Sequence, residues 1–138
     1  MTDAVASRTV IFACVHNAGR SQMAAAFFNA SADSHKAHAV SAGTRPGARV
    51  HDVVIEAMRE VGLDLRAAVP RLLTPALADG ASWLITMGCG DECPIVPGVS
   101  RADWPLDDPK GRPLDQVREI RDDIRRRVEA FLVDHDLM

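Results

Sequence analysis

The chain has 138 residues, of which 47% are hydrophobic and 25% are charged, and its formal net charge is −3. This length suits one ordinary domain with a sizeable core, so a single domain over residues 1–138 is predicted. The basic residues form no extended tract, which argues against nucleic acid or an acidic membrane surface as a partner. No apolar run approaches the ~18 residues that span a bilayer, and no secretory signal is recognisable, so a cytoplasmic protein is expected.

Apolar runs and helical patterns alternate through the first half of the chain. Thr9–Val15 (T-V-I-F-A-C-V) is typical of a strand buried on both faces, and good helix formers follow from Arg20. A second strand is predicted at Ala37–Ala42, ended by a loop at Gly43–Gly47. His51–Val61 then has apolar residues at helical spacing, which predicts a second helix.

The second half of the chain repeats this alternation. Trp83–Met87 predicts a third buried strand, and Leu114–Val133 predicts a long amphipathic helix. Between them, Pro94–Pro113 has no strong periodicity and is predicted to be a functional loop. The alternation indicates an α/β fold: a single three-layer domain with a small, about four-stranded, mostly parallel sheet and helices on both faces. Such sheets bind ligands beyond the carboxyl ends of their strands.

The first candidate site is the loop between the first strand and the first helix. Its backbone N–H groups can converge around a tetrahedral oxyanion at the start of the helix. The segment is not a Walker loop, which requires G-x-x-x-x-G-K-[S/T], so nucleotide binding is not supported. The residues expected to bind the anion are Val15, His16, Asn17, Ala18, Gly19, Arg20 and Ser21.

Cys14 opens this loop and is the candidate nucleophile. A helix N-terminus and a nearby cation both favour the thiolate form of a cysteine, and Cys14 has both candidate influences. Arg20 offers a planar fork that can bind two oxygen atoms of an anion, and Ser21 could donate a hydrogen bond to the thiolate. Asn17 could pin the loop through hydrogen bonds to the backbone. The alternative is a buried, inert cysteine at a strand end.

The pattern C-x5-R-S after a first strand resembles the signature of low-molecular-weight tyrosine phosphatases and the related arsenate reductases. A second match is Asp103–Pro109 (D-W-P-L-D-D-P), which is similar to the aspartate-proline loop of this family. The resemblance implies that Asp108 is the general acid that protonates a leaving oxygen. From composition alone, the same residues would be read as a solvated turn.

Two further cysteines, Cys89 and Cys93, follow the third predicted strand. Cys89 would lie at the same edge of the sheet as Cys14 if the first and third strands are neighbours. A spacing of four residues is compatible with a disulfide inside one helical turn. Incidental core cysteines and a zinc site are the alternatives, although a zinc site wants four ligands and this pair supplies two. No metal site is predicted.

The resemblance to thioredoxin-coupled arsenate reductases implies a mechanism and a role in arsenic resistance. Cys14 would attack arsenate, Cys89 would attack the thiol-arsenic adduct and release arsenite, and Cys93 would resolve the Cys14–Cys89 disulfide. Thioredoxin would then reduce the Cys89–Cys93 disulfide, and no cofactor is expected. The spacing C-x3-C is shorter than in those reductases, which leaves the role of Cys93 open, and mycothiol or glutathione remains an alternative reductant.

Two other functions stay open at this point. A low-molecular-weight tyrosine phosphatase would use the same thiolate, arginine and aspartate to hydrolyse a phosphate ester. The chain has no tyrosine, four phenylalanines and two tryptophans, so an aromatic slot for phosphotyrosine is hard to build and arsenate is favoured. The other alternative is a non-catalytic oxyanion-binding or redox-sensing protein, in which the cysteines are only oxidised and reduced.

Overall fold

Strands and helices alternate along most of the chain, and the computed structural model describes residues 8–88 and 96–138. The strands are β1 (Arg8–Cys14), β2 (Ala37–Gly43), β3 (Trp83–Thr86) and β4 (Ser100–Asp103). The helices are α1 (Arg20–Ser31), α2 (Asp52–Arg59), α3 (Pro75–Ala78) and α4 (Leu114–Asp134). The strands and helices that were predicted from apolar patterns are all present, with ends that differ by a few residues.

The four strands form one sheet in the order β2-β1-β3-β4, and every pair is parallel. In the register, Cys14 lies opposite Gly43 on β2, and Ala13 lies opposite Thr86 on β3. The carboxyl ends of the strands therefore meet at one edge of the sheet. The chain moves from β1 to β2 on one side and returns to β3 on the other, which makes this edge the expected ligand-binding crevice.

Both faces of the sheet are covered, as predicted, but by layers of different thickness. Val10, Phe12 and Cys14 of β1 belong to the large core cluster, which also contains residues of α1, α2 and α4. Ile11 and Ala13 point to the opposite face, where they join a smaller cluster with residues such as those of α3. Alternation along a strand sends successive side chains to opposite faces, so β1 is buried on both.

Two elements were missed by the sequence analysis. The segment Pro94–Pro113, predicted to be a loop, contains β4, which pairs with β3 although its sequence S-R-A-D has no apolar alternation and three of its residues are exposed. The pairing of its backbone at the edge of the sheet makes it a strand. Helix α3 is only four residues long, and it begins at Pro75 after Thr74, whose hydroxyl accepts a hydrogen bond from the N–H of Leu77 at 3.0 Å.

A charge network, in which only Arg121 is buried, joins α2 and the residue after it to α4. The guanidinium of Arg121 donates to the carbonyl of Ala57, in the last turn of α2, and to the carboxylate of Glu60, both at 2.9 Å. Arg118 donates to the same carboxylate at 2.6 Å. The hydrogen bond from Arg118 is the main cause that lowers the pKa of Glu60 to about 2, with Arg121 adding to it. Glu60 therefore accepts from two arginines of α4 across nearly the whole pH range.

Replacing Glu60 should lower stability in a pH-dependent way. Because its folded pKa of about 2 lies below the ordinary value of 4.5, its contribution is present above about pH 4.5 and is lost as the pH falls toward 2. Glu60→Gln should therefore reduce the free energy of unfolding in urea at pH 7, and the deficit should narrow steadily below pH 4.5. Glu119→Gln, at an exposed position of α4, is the matched control. Equal stability of Glu60→Gln and wild type at pH 7 would contradict the prediction.

Candidate active site

The loop between β1 and α1 is held from outside through its carbonyl groups. Four N–H groups of the segment 44–51 donate to these carbonyls: Thr44 to Cys14 at 3.2 Å, Arg45 to Val15 at 2.8 Å, Gly47 to His16 at 2.8 Å and His51 to Ala18 at 3.0 Å. A trans peptide carries its C=O and N–H on opposite sides. The N–H groups of Val15, His16, Asn17 and Gly19 therefore point away from the segment 44–51, as an anion cradle requires.

The close approach of the segment 44–51 to the Cys14 loop depends on Gly43 at the end of β2. A Cβ atom on Gly43 would lie 2.6 Å from the carbonyl oxygen of Val15 and 2.9 Å from the nitrogen of Asn17. Both are backbone atoms, which cannot move without displacing the loop. Asn17 itself has a left-handed backbone with φ of 50° and is fully buried. The loop is thus shaped by close backbone packing.

Cys14 ends a chain of buried hydrogen bonds. Its Sγ lies 2.9 Å from Oγ of Ser21, and that oxygen accepts from Nδ2 of Asn17 at 2.7 Å. Either the sulfur or the hydroxyl can be the donor in this contact, and Asn17 already donates to the same oxygen. Gln22 donates from Nε2 to both the carbonyl and Oδ1 of Asn17, at 3.1 and 3.2 Å.

Asn17 also ties the loop to a distant segment, because its Oδ1 accepts from the N–H of Arg71 at 2.9 Å. This is the kind of side-chain to backbone bond expected for Asn17. Gln22 was missed in the sequence analysis. The sequence feature that could have identified Gln22 is its position: it is a polar residue that directly follows the C-x5-R-S motif and precedes the apolar part of α1.

Arg20 lies across the ends of the neighbouring strands and is only 7% exposed. Its Nη1 donates to the carbonyl of Leu106 at 3.1 Å, and its Nη2 lies 3.8 Å from a carboxylate oxygen of Asp108. Pro109 packs on the loop so tightly that a Cβ atom on Gly19 would stand 2.7 Å from its ring. The fold therefore brings the aspartate-proline segment and the Cys14 loop together. The side chain of Asp108 is 41% exposed, so it can exchange protons with solvent.

His51 interacts electrostatically with Asp108. Burial lowers the pKa of His51, an effect that Asp108 partly offsets and that Lys110 and His16 reinforce. Burial therefore favours the neutral imidazole. His51 directly precedes α2, and the sequence analysis gave it no role. Its backbone N–H donates to the carbonyl of Ala18, a residue far away in the chain, and no local sequence pattern signals such a contact.

The aromatic side chains lie in the core. All six pack in or against the large core cluster: Phe12, Phe27, Phe28, Trp83, Trp104 and Phe131. Rings of this set contact one another, as in the pair of Phe12 and Trp104 with centroids 5.6 Å apart. The chain has no tyrosine, and its four phenylalanines are buried in this cluster, while Trp83 and Trp104 are partly buried against it.

Cys89 and Cys93 lie outside the described residues. Cys89 was expected at the same edge of the sheet as Cys14 if the first and third strands are neighbours. The strands β1 and β3 are neighbours in the sheet. Gly88, immediately before Cys89, lies against the guanidinium of Arg20.

Within residues 8–88 and 96–138, no group of three or more histidine, cysteine, aspartate or glutamate residues is arranged to hold a metal ion. No helix in these ranges is long and apolar enough to cross a membrane.

The match to a family covers nearly the whole domain. Residues 9–137 match the low molecular weight phosphotyrosine protein phosphatase family, and the chain belongs to it. The fold and the position of the C-x5-R-S loop agree with this assignment.

Within this family, several similar proteins with 30% identity or more carry arsenate reductase names. A Halobacterium salinarum protein, provisionally named an arsenate reductase, is 40% identical over 121 residues, which are 85% of each chain. A Corynebacterium glutamicum thioredoxin-dependent arsenate reductase superposes with a TM-score of 0.80 at 37% identity; the match covers 93% of this chain and 61% of that one. An arsenate reductase solved in a phosphate-binding state has a TM-score of 0.80 and 30% identity, covering 92% and 98%. The chain is accordingly an enzyme of the arsenate reductase type.

Removing the Ser21 hydroxyl should make Cys14 less reactive. Ser21→Ala deletes the hydroxyl that lies 2.9 Å from the sulfur and that we expect to donate to it, and a hydrogen bond to a charged group is worth roughly a tenfold change in equilibrium. Alkylation of Cys14 by iodoacetamide at pH 7, followed by peptide mass spectrometry, should slow by about that factor. Ser31→Ala, at the exposed end of α1, is the matched control. Unchanged alkylation in Ser21→Ala would exclude the proposed donor role.

Proposed function

We propose that the enzyme reduces arsenate to arsenite, with Cys14 as nucleophile and Cys89 and Cys93 as a disulfide relay that thioredoxin re-reduces. The observation that carries the proposal is the buried sulfur of Cys14, faced by the Ser21 hydroxyl in a loop whose N–H groups point away from the segment 44–51. This arrangement suits a sulfur nucleophile beside a tetrahedral oxyanion.

In the first step, the Cys14 thiolate attacks arsenic and forms a sulfur–arsenic bond. One arsenate oxygen leaves as water, with a proton supplied by Asp108, which lies beside Arg20. Arg20 holds two of the remaining oxygens through its planar fork, assisted by the backbone N–H groups of residues 15–21.

In the second step, the Cys89 thiolate attacks the sulfur of Cys14. A Cys14–Cys89 disulfide forms, the sulfur–arsenic bond breaks, and its two electrons reduce arsenic from the +5 to the +3 state as arsenite leaves. The Cys93 thiolate then attacks Cys89, releases Cys14 and forms the Cys89–Cys93 disulfide. A dithiol reductant restores both thiols. These steps need no metal or organic cofactor.

Reduction is favoured over phosphatase activity by what surrounds the loop. A phosphotyrosine substrate needs an aromatic or apolar slot beside the anion cradle, and the four phenylalanines of this chain are buried in the core. Arsenate is small enough for the cradle alone. The names of the similar proteins point the same way.

Thioredoxin is proposed as the reductant because a similar structure is that of a thioredoxin-dependent enzyme. Mycothiol and glutathione are the alternatives, in which case Cys14 and one partner thiol would suffice. We place this chemistry in the cytoplasm, where thiols are kept reduced, and assign it to arsenic detoxification by a single domain over residues 1–138.

The relay is tested by arsenate-dependent oxidation of NADPH coupled through thioredoxin and thioredoxin reductase. Cys14→Ser should abolish turnover because no adduct forms. Cys89→Ser should stop after the adduct, and Cys93→Ser should stop at the Cys14–Cys89 disulfide, which peptide mass spectrometry can detect. Full steady-state activity of Cys89→Ser would exclude the intramolecular relay.

The same proteins distinguish the alternatives. Activity with mycothiol or glutathione, but not with thioredoxin, would keep the reductase and change its reductant. Rapid hydrolysis of p-nitrophenyl phosphate without arsenate reduction in any coupled system would establish a phosphatase instead.

The general acid is tested by Asp108→Asn. An amide cannot protonate the leaving oxygen, and proton transfer by a positioned side chain contributes about a hundredfold or more. The kcat/KM for arsenate should fall by about that factor, while the apparent Kd for phosphate should change by much less. Asp107→Asn, at the exposed neighbouring residue, is the matched control and should stay within about twofold of wild type. An equal loss in both variants would remove the specific role of Asp108.

A further inference from the structure

Gly88, two residues after β3, lies directly against the guanidinium of Arg20. A Cβ atom on Gly88 would overlap Nη1 of Arg20 and would stand 3.2 Å from Cζ and 3.6 Å from Nη2. Nonbonded heavy atoms prefer separations of about 3.5–4.0 Å. The guanidinium therefore occupies space that exists only because residue 88 has no side chain.

The guanidinium also contacts the segment that follows β4. Nη1 donates to the carbonyl of Leu106 at 3.1 Å, and Nη2 lies 3.8 Å from Asp108. Arg20 thus contacts both the backbone after β3 and the segment after β4. Because the group is rigid and planar, the contact with Gly88 and the hydrogen bond to Leu106 together restrict its position and its tilt.

We propose that Gly88 is a positioning residue for oxyanion capture: its missing side chain sets the place of the Arg20 guanidinium and so the affinity of the cradle. Gly88 does not touch the anion itself. The inference rests on the proposed anion-binding role of Arg20, and it is independent of the later redox steps. A fork that binds two oxygens needs close alignment, so a displacement of about 1 Å is enough to weaken it.

An alanine at this position should move Arg20 rather than unfold the chain. The atom that it would meet is the far end of a flexible side chain, whereas a Cβ atom on Gly43 would meet backbone atoms. Gly88 also has φ of +100°, so any other residue adds backbone strain. Gly80, before the opposite end of β3, has φ of +82° and nothing within 4 Å of its Cβ position. Gly80→Ala therefore reproduces the strain without the contact.

The experiment measures inorganic phosphate binding through protection of Cys14 from iodoacetamide, read by peptide mass spectrometry. Gly88→Ala should raise the apparent Kd for phosphate about tenfold or more, as the loss of one hydrogen bond to a charged group would. The apparent Kd of Gly80→Ala should stay within about twofold of wild type. Its thermal midpoint of unfolding should fall by about as much as that of Gly88→Ala, because both add strain at a positive φ. A Kd for Gly88→Ala within about twofold of wild type, or equal weakening in both variants, would overturn the inference.

A second pair of variants isolates the contact with Arg20. Lysine has no planar fork, so in an Arg20→Lys background Gly88→Ala should change the Kd for phosphate by less than about twofold. The same tenfold loss there would assign the effect to the backbone and overturn the inference. If Gly88→Ala does not fold, Gly88→Asn takes its place, because asparagine tolerates positive φ and carries the same Cβ atom. Arsenate turnover is not part of the readout, so failure of the reductase proposal would be seen separately.

Discussion

The site depends first on the four hydrogen bonds that the segment 44–51 donates to the carbonyls of the Cys14 loop. They turn each peptide plane so that its N–H faces the other way, and they require the close approach that Gly43 permits. The shape of the proposed anion cradle is therefore a property of the backbone. The side chains of Cys14 and Arg20 do not supply these four hydrogen bonds, so they are free for the roles that we propose.

A second level of order comes from buried polar side chains that satisfy one another. Gln22 orients Asn17, Asn17 donates to Ser21, and Ser21 faces the sulfur of Cys14. Each buried group left without its partner would cost about 1–3 kcal/mol, so the members of the chain support one another cooperatively. The result is one defined position for the Ser21 hydroxyl beside the sulfur.

The fold is shared with phosphatases and does not by itself decide the reaction. The arsenate reductase type rests on the similar proteins, and we propose that the surroundings of the loop contribute to it. Phe12 and Phe131 are buried in the core, where both pack against Trp104. A cysteine pair follows β3, the neighbour of the strand that ends in Cys14, which suits electron transfer.

The sequence by itself determined the strand-helix alternation, the loop from Cys14 to Ser21 and the family, because each is written in residues close together in the chain. Tertiary structure decided the rest. The segment Ser100–Asp103 has no strand pattern and becomes β4 only by pairing with β3. The contact of Gly88 with Arg20 joins segments far apart in the chain, and no local pattern signals it. Such features depend on which strands become neighbours, and that is settled only when the whole core is buried.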